Sequence, residues 1–237
     1  SLVCADPGSD RYADFRCDYE LWDCENGIFL YLACNMESEV FSNDQIRQAL
    51  TYAIDRETIM NRYYNNHAQI ATLATSPSSP HYNQTLAANY AFEPLKFIDA
   101  MSGWNIPRDP ADPNKKMVLL VNSDDSMRMR LARGIVDMLT ECGLNIVVEE
   151  MPSNKYVSAV KNGRYDLYLG QTKLTPNMDL SEFFGEQGLL NYNKIADPAL
   201  YALSLEALAV KKQFTALFTD EEANNALMRL LSAGYRF

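Results

Sequence analysis

A chain of 237 residues with 47% hydrophobic and 22% charged residues has ordinary globular composition. Its length suits one large domain or two small ones, burying roughly 70% of the unfolded surface. A formal charge of −10 argues against nucleic acid, whose phosphates need clustered Lys and Arg, and against docking on anionic lipid. The longest apolar run, about Ile28 to Cys34, is far shorter than the ~20 residues of a membrane span. No basic start followed by an apolar core opens the chain, and Leu2-Val3-Cys4 lacks the hydrophobic segment that precedes a lipidated cysteine. Both ends are expected to be cuts in a longer protein.

In chain order, the segment 16–34 has strand content, broken by the turn signal Asn26-Gly27. Ile46, Leu50, Ala53 and Ile54 then recur at helical spacing behind a start signal at Ser42 or Asn43. Asp55 interrupts the stripe and is placed to cap a second helix carrying Ile59 and Tyr63, so a helix pair is predicted over 44–65. A polar, proline-bearing loop follows from His67 to Thr85, long enough to be functional or mobile. A short helix over 92–102 ends at Gly103, and Ile106 to Asn114, with three prolines, reads as a connector.

The next stretch alternates strand and helix. Met117 to Val121 is a buried strand. Ser123 and the pair Asp124-Asp125 open a helix with the stripe Met127, Leu131, Ile135, Met138, Leu139 and Cys142, closed by Gly143. Ile146 to Val148 is a second strand; Ser153 is expected to cap a helix closed by Gly163; Tyr165 to Leu169 is a third strand. This order predicts an α/β fold with a largely parallel sheet and right-handed crossovers. The last third reads as helices at about 179–185, 198–210 and 220–232.

Catalytic and metal patterns are absent from the sequence. His67 and His81 are the only histidines and have no ligand spacing. There is no nucleophile elbow, phosphate loop or dinucleotide fingerprint. Asp124-Asp125 and Glu149-Glu150 read as a helix start and a strand end, since adjacent carboxylates there point in different directions. Five cysteines form no CxxC pair. Cys142 sits on a helix stripe as a core residue. Among Cys4, Cys17, Cys24 and Cys34, one disulfide and buried free thiols are both open.

The string Ile46-Arg47-Gln48-Ala49-Leu50-Thr51-Tyr52-Ala53-Ile54-Asp55-Arg56 resembles the signature of the family 5 extracellular solute-binding proteins, receptors of ABC importers. There the helix commonly reads Val-Arg-Gln-Ala-Leu-x-Tyr-Ala-Ile-Asp-Arg. The resemblance continues through the proline-bearing loop, the α/β section and the strand Tyr165-Asp166-Leu167. It implies a lobe like those of type II periplasmic binding proteins, with residues 1–237 as a single truncated lobe, the C-terminal one, of a longer two-lobed receptor. It also implies a peptide or other small solute as ligand, importer permease subunits as partners of the intact protein, and no cofactor. An extracellular or periplasmic, surface-anchored location follows from the same likeness, as does a non-enzymatic role. The lobe alone is expected to be monomeric. The alternative is a sensing lobe of the same fold fused to a regulatory or signalling protein.

Ligands of open α/β sheets sit beyond the carboxyl ends of the strands. That rule selects Asn122-Ser123, Pro152-Ser153-Asn154 and the loop Gly170 to Asn177. In peptide-binding relatives the third loop carries Trp-x-Ala-Asp-Tyr, whose Asp holds the peptide ammonium. Here Leu174 and Thr175 stand at the Asp-Tyr pair. Asp179, with Glu182 three residues on, reads either as a helix cap or as a displaced ammonium ligand. The candidate ligand residues are Gln171, Lys173, Thr175 and Asn177, with Tyr82 on a possible second rim. Lys173 would favour a neutral or anionic group, or it is simply solvated.

Overall fold

The computed structural model describes residues 26–74, 76–78, 82–104, 106–109, 116–174, 179–193 and 195–214, with side chains through 207. The expected strand before residue 26, the last helix over 220–232 and Cys4, Cys17 and Cys24 lie outside the described residues. Cys34 is a free thiol, as is the buried Cys142.

Four strands form one sheet: β1 (Ile28–Cys34), β2 (Met117–Asn122), β3 (Ile146–Met151) and β4 (Leu167–Lys173), in the order β1-β4-β2-β3. β2 pairs in parallel with β3 and β4, whereas β1 lies antiparallel to β4. The helices are α1 (Asp44–Ala53), α2 (Arg56–Tyr64), α3 (Gln84–Ala88), α4 (Pro94–Met101), α5 (Ser126–Glu141), α6 (Ser153–Lys161), α7 (Ser181–Phe184) and α8 (Pro198–Phe214).

The chain steps from β2 to β3 on one side, then back past β2 to β4. With right-handed crossovers, opposite lateral steps put the connecting helices on opposite faces. The two hydrophobic cores divide them that way. One face packs Leu119, Val121, Leu167 and Leu169 against α1, α4 and α5. The other packs Tyr31, Leu120 and Tyr168 against α6, α7 and Leu200 of α8. Covering on both faces explains why β2 reads as a continuous apolar run rather than an alternating one.

Local signals set the helix ends. The Asn43 carboxamide accepts the Gln45 N–H and the Asp55 carboxylate accepts the Thr58 N–H, so both predicted caps of the helix pair form. Ile46, Leu50, Ala53 and Ile54 are all buried. α3 was not expected: Asn83 ends the long loop by capping it through the Leu86 N–H. Gly143 and Gly163 close α5 and α6 with φ of +90° and +66°, a region that favours glycine.

Two expectations need correction. Ser153 is the first residue of α6, not its cap; Pro152 occupies the cap position without a side-chain bond. The third strand starts at Leu167, later than Tyr165, and runs on to Lys173. Gly170, Gln171 and Lys173 are therefore strand residues rather than loop residues.

Candidate functional site

The carboxyl ends of β2 and β3 meet through their loops. The Ser123 N–H donates to Met151 O at 2.8 Å. The Asp124-Asp125 pair divides its work between two helices. Asp125 caps α5, accepting the Met127 and Arg128 N–H groups at 3.0 Å and the Arg128 Nε at 2.8 Å. Burial pushes the Asp125 carboxyl up, but the backbone and guanidinium donors of Arg128 outweigh it and hold it below its usual value. Asp124 reaches across to α6, where its Oδ2 accepts the Ser153 N–H at 2.9 Å. That carboxylate does the capping that Ser153 itself does not.

β4 behaves differently from its neighbours. It pairs with β2 only at Leu119↔Leu167 and Leu120↔Tyr168. From Leu169 onward its only partner strand among the described residues is β1, through Leu32↔Leu169, Tyr31↔Gly170, Leu30↔Gln171, Phe29↔Thr172 and Ile28↔Lys173. One more bond, Leu174 N–H to Gly27 O at 2.9 Å, carries the pairing past the strand end. A two-stranded ribbon thus leaves the carboxyl edge of the sheet, about 10 Å long for its last three residues.

Gln171 and Lys173 are exposed on that ribbon and share one face of it, two residues apart. Among the described residues Lys173 makes no ion pair. Thr175 and Asn177 lie outside the described residues. Tyr82 is half-buried against the second core, and its hydroxyl accepts the Thr72 N–H at 3.3 Å, stapling its own loop. No hydrogen bond brings Tyr82 to Gln171 or Lys173, so the structure joins two of the five candidates and leaves Tyr82 apart. Leu180, not Asp179, occupies the cap position of α7 and makes no side-chain cap bond; Asp179, one residue earlier, accepts the N–H and the O–H of Ser181 through Oδ1, and Glu182 binds the Leu189 N–H instead of closing a capping box.

Tyr156 is not among the candidates that the sequence singles out. On α6, its hydroxyl donates to Leu169 O at 2.8 Å, where the β2–β4 pairing has just stopped. Burial raises its phenol well above the usual value, with Tyr31 adding to the effect. A tyrosine one turn into a helix does not, by its type or position, separate a phenol bonded to a strand end from ordinary core packing.

The family signature has a structural role. Arg56 Nη1 donates to Thr51 O at 3.2 Å and Ile54 O at 3.4 Å, capping the end of α1, which has no basic residue in its own last turn. Arg47 Nη1 likewise ties down Phe41 O and Ser42 O. Asp166 joins three segments at the amino end of β4: Oδ1 accepts the Ser38 hydroxyl at 2.6 Å and Oδ2 the Val118 N–H at 2.9 Å. All three belong to strings shared with the family, and none lies at the carboxyl edge.

A cavity of about 70 Å³ runs along the outer side of β1, lined by Tyr31, Arg47, Gln48 and Asn191 among others. Pockets for small molecules span about 300–1,000 Å³. Among the described residues no group of His, Cys, Asp and Glu is placed to hold a metal ion, and no helix is long and apolar enough to cross a membrane.

The family described as bacterial extracellular solute-binding proteins, family 5 (middle region) matches residues 17–188. The chain belongs to that family. Family 5 proteins are solute binders rather than enzymes, in keeping with the sequence reading. Among curated relatives, the oligopeptide-binding protein AppA of Bacillus subtilis is 23% identical over 146 residues, 58% of this chain and 27% of AppA. Among solved structures, NikZ of Campylobacter jejuni, in complex with Ni(L-His), matches with a TM-score of 0.68 at 18% identity, over 89% of this chain and 43% of NikZ. AgaA from A. tumefaciens R10, in complex with agropinic acid, matches with a TM-score of 0.67 at 19% identity, over 88% of this chain and 41% of AgaA. The fold is therefore that of this receptor family, and the chain spans less than half the length of these relatives.

Proposed function

We propose that residues 1–237 form one solute-receiving lobe of an extracellular receptor that delivers cargo to an ABC importer, anchored at the cell surface in the intact protein. The observation that carries this reading is the β1–β4 ribbon. In a chain of this family it presents Gln171 and Lys173, exposed, beyond the strand carboxyl ends where α/β sheets receive ligands. The site is half a cleft, and the second lobe supplies the other half. Closure of the two lobes around the solute is then a population shift driven by contacts with both.

The solute chemistry follows from the residues at the edge. Lys173 is a cation without an ion-pair partner among the described residues, and Leu174 stands where peptide-binding relatives carry an acidic anchor. The edge favours a neutral or anionic group over a free ammonium. The test is calorimetric titration of the intact receptor and its Lys173→Ala variant with a panel of peptides and small acids. Weaker binding of an anionic solute by the variant supports the reading; unchanged binding overturns the role of Lys173. The isolated lobe makes only part of the contacts and is expected to bind weakly, so micromolar binding of a peptide by residues 1–237 would contradict the half-site.

A further inference from the structure

We propose that Tyr156 is a positioning residue for the solute-facing end of β4, an inference that rests on the reading of Gln171 and Lys173 given above. The ladder between β2 and β4 stops after Tyr168. The next carbonyl, Leu169 O, receives the Tyr156 hydroxyl at 2.8 Å. A side chain from α6 thus stands in for strand β2 where the sheet begins to open.

The position of that hydroxyl is itself tied to the end of β2. The Tyr156 N–H bonds Pro152 O at 2.8 Å in the first turn of α6, and the Ser153 N–H of the same turn bonds Asp124 Oδ2, just past β2. A chain of contacts runs from Asp124 through one turn of helix to Leu169. On the far side of β4, the ring of Tyr31 lies over Gly170, within 2.4 Å of where a Cβ would stand. Residues 169 and 170 are held from both sides, and the course on which Gln171 and Lys173 leave the sheet is set there.

Two neighbouring hydroxyls of the aromatic core have other partners. Tyr165 donates to Asn193 Oδ1 at 2.6 Å, and Tyr168 meets Tyr31 at 3.5 Å. A phenol is protonated at neutral pH, and burial raises Tyr156 further, so its hydroxyl is a donor there.

The test compares Tyr156→Phe with Tyr165→Phe in the 237-residue chain. Each removes one hydroxyl from the same core and keeps the ring. Residue-resolved hydrogen exchange is expected to speed up by about tenfold or more at the amides of 170–174 in Y156F, and to stay unchanged there in Y165F. Unchanged exchange in Y156F, or an equal rise in both variants, overturns the proposal. As a second readout, the Leu169 carbonyl carbon resonance should move upfield in Y156F alone; a resonance that stays put counts against the bond. In the intact receptor, Y156F is expected to weaken solute binding about tenfold. Faster exchange with unchanged affinity upholds Tyr156 as the support of β4 and overturns Gln171 and Lys173 as solute-facing.

Discussion

The ring of Tyr31 occupies the space that a side chain at Gly170 would need: an added Cβ would stand 2.4 Å from Cζ and 2.7 Å from the hydroxyl oxygen. The two residues are register partners on β1 and β4. Tyr31 cannot easily yield, because it is buried among Phe29, Tyr168 and Phe183 with ring centroids 5.8, 5.9 and 5.4 Å away. Gly170→Ala is therefore expected to destabilise the chain by about 1–3 kcal/mol through overpacking. Urea unfolding measures it; a midpoint equal to wild type would mean the ring can move aside.

Asp166 offers a second stability test, at the opposite end of β4. Asp166→Ala leaves the Val118 N–H and the Ser38 hydroxyl without their acceptor. The expected loss is about 1–3 kcal/mol in the same assay. Solute affinity of the intact receptor should not change, since these bonds lie at the amino edge; a selective loss of affinity would count against the assignment.

Arg56→Met keeps the length of the side chain and removes the donors that close α1. Amide exchange in the last turn of α1 is expected to rise, with a stability loss of about 0.5–1.5 kcal/mol. If the last turn exchanges as in wild type, the Arg56 bonds contribute nothing.

Alkaline pH should weaken the fold. Burial pushes the Cys34 thiol up to about 12, against the opposing pull of Arg47. A thiol in the unfolded chain titrates near ~8.5, so the folded state binds its proton more tightly. The stability that this contributes is complete below about pH 8.5 and is lost as pH rises towards 12. Burial raises Tyr156, Tyr165 and Tyr168 too, so the loss steepens above pH ~10, where unfolded phenols ionise. Unfolding at pH 7.5, 9.5 and 11 checks this, and Cys34→Ala should flatten the first part of the fall. Constant stability across that range would overturn it.

The sequence made most of the fold legible because its signals are periodic or positional. The α1 stripe, the Asp55 cap and the glycines after α5 and α6 each follow from local chemistry. The candidate site was harder to read. Gly170-Gln171-Thr172-Lys173 has neither apolar alternation nor strand-forming bulk, and its extension depends on pairing with β1, far away in sequence. Ser153 looked like a cap because its residue type and place suited one, but the acceptor that serves α6 comes from Asp124 on another loop. Tyr156 carried no signal that distinguished a buried phenol bonded to a strand from ordinary core packing.

Because the distal half of β4 has β1 as its only partner strand among the described residues, the proposed solute-facing surface draws on two places in the sequence. Ile28 and Leu30 sit beside Lys173 and Gln171 on the ribbon. A library that randomised only the later segment would hold its neighbour strand fixed and sample a narrow range of shapes. On the proposed assignment, retargeting calls for varying the opening residues of β1 together with the end of β4, as one surface.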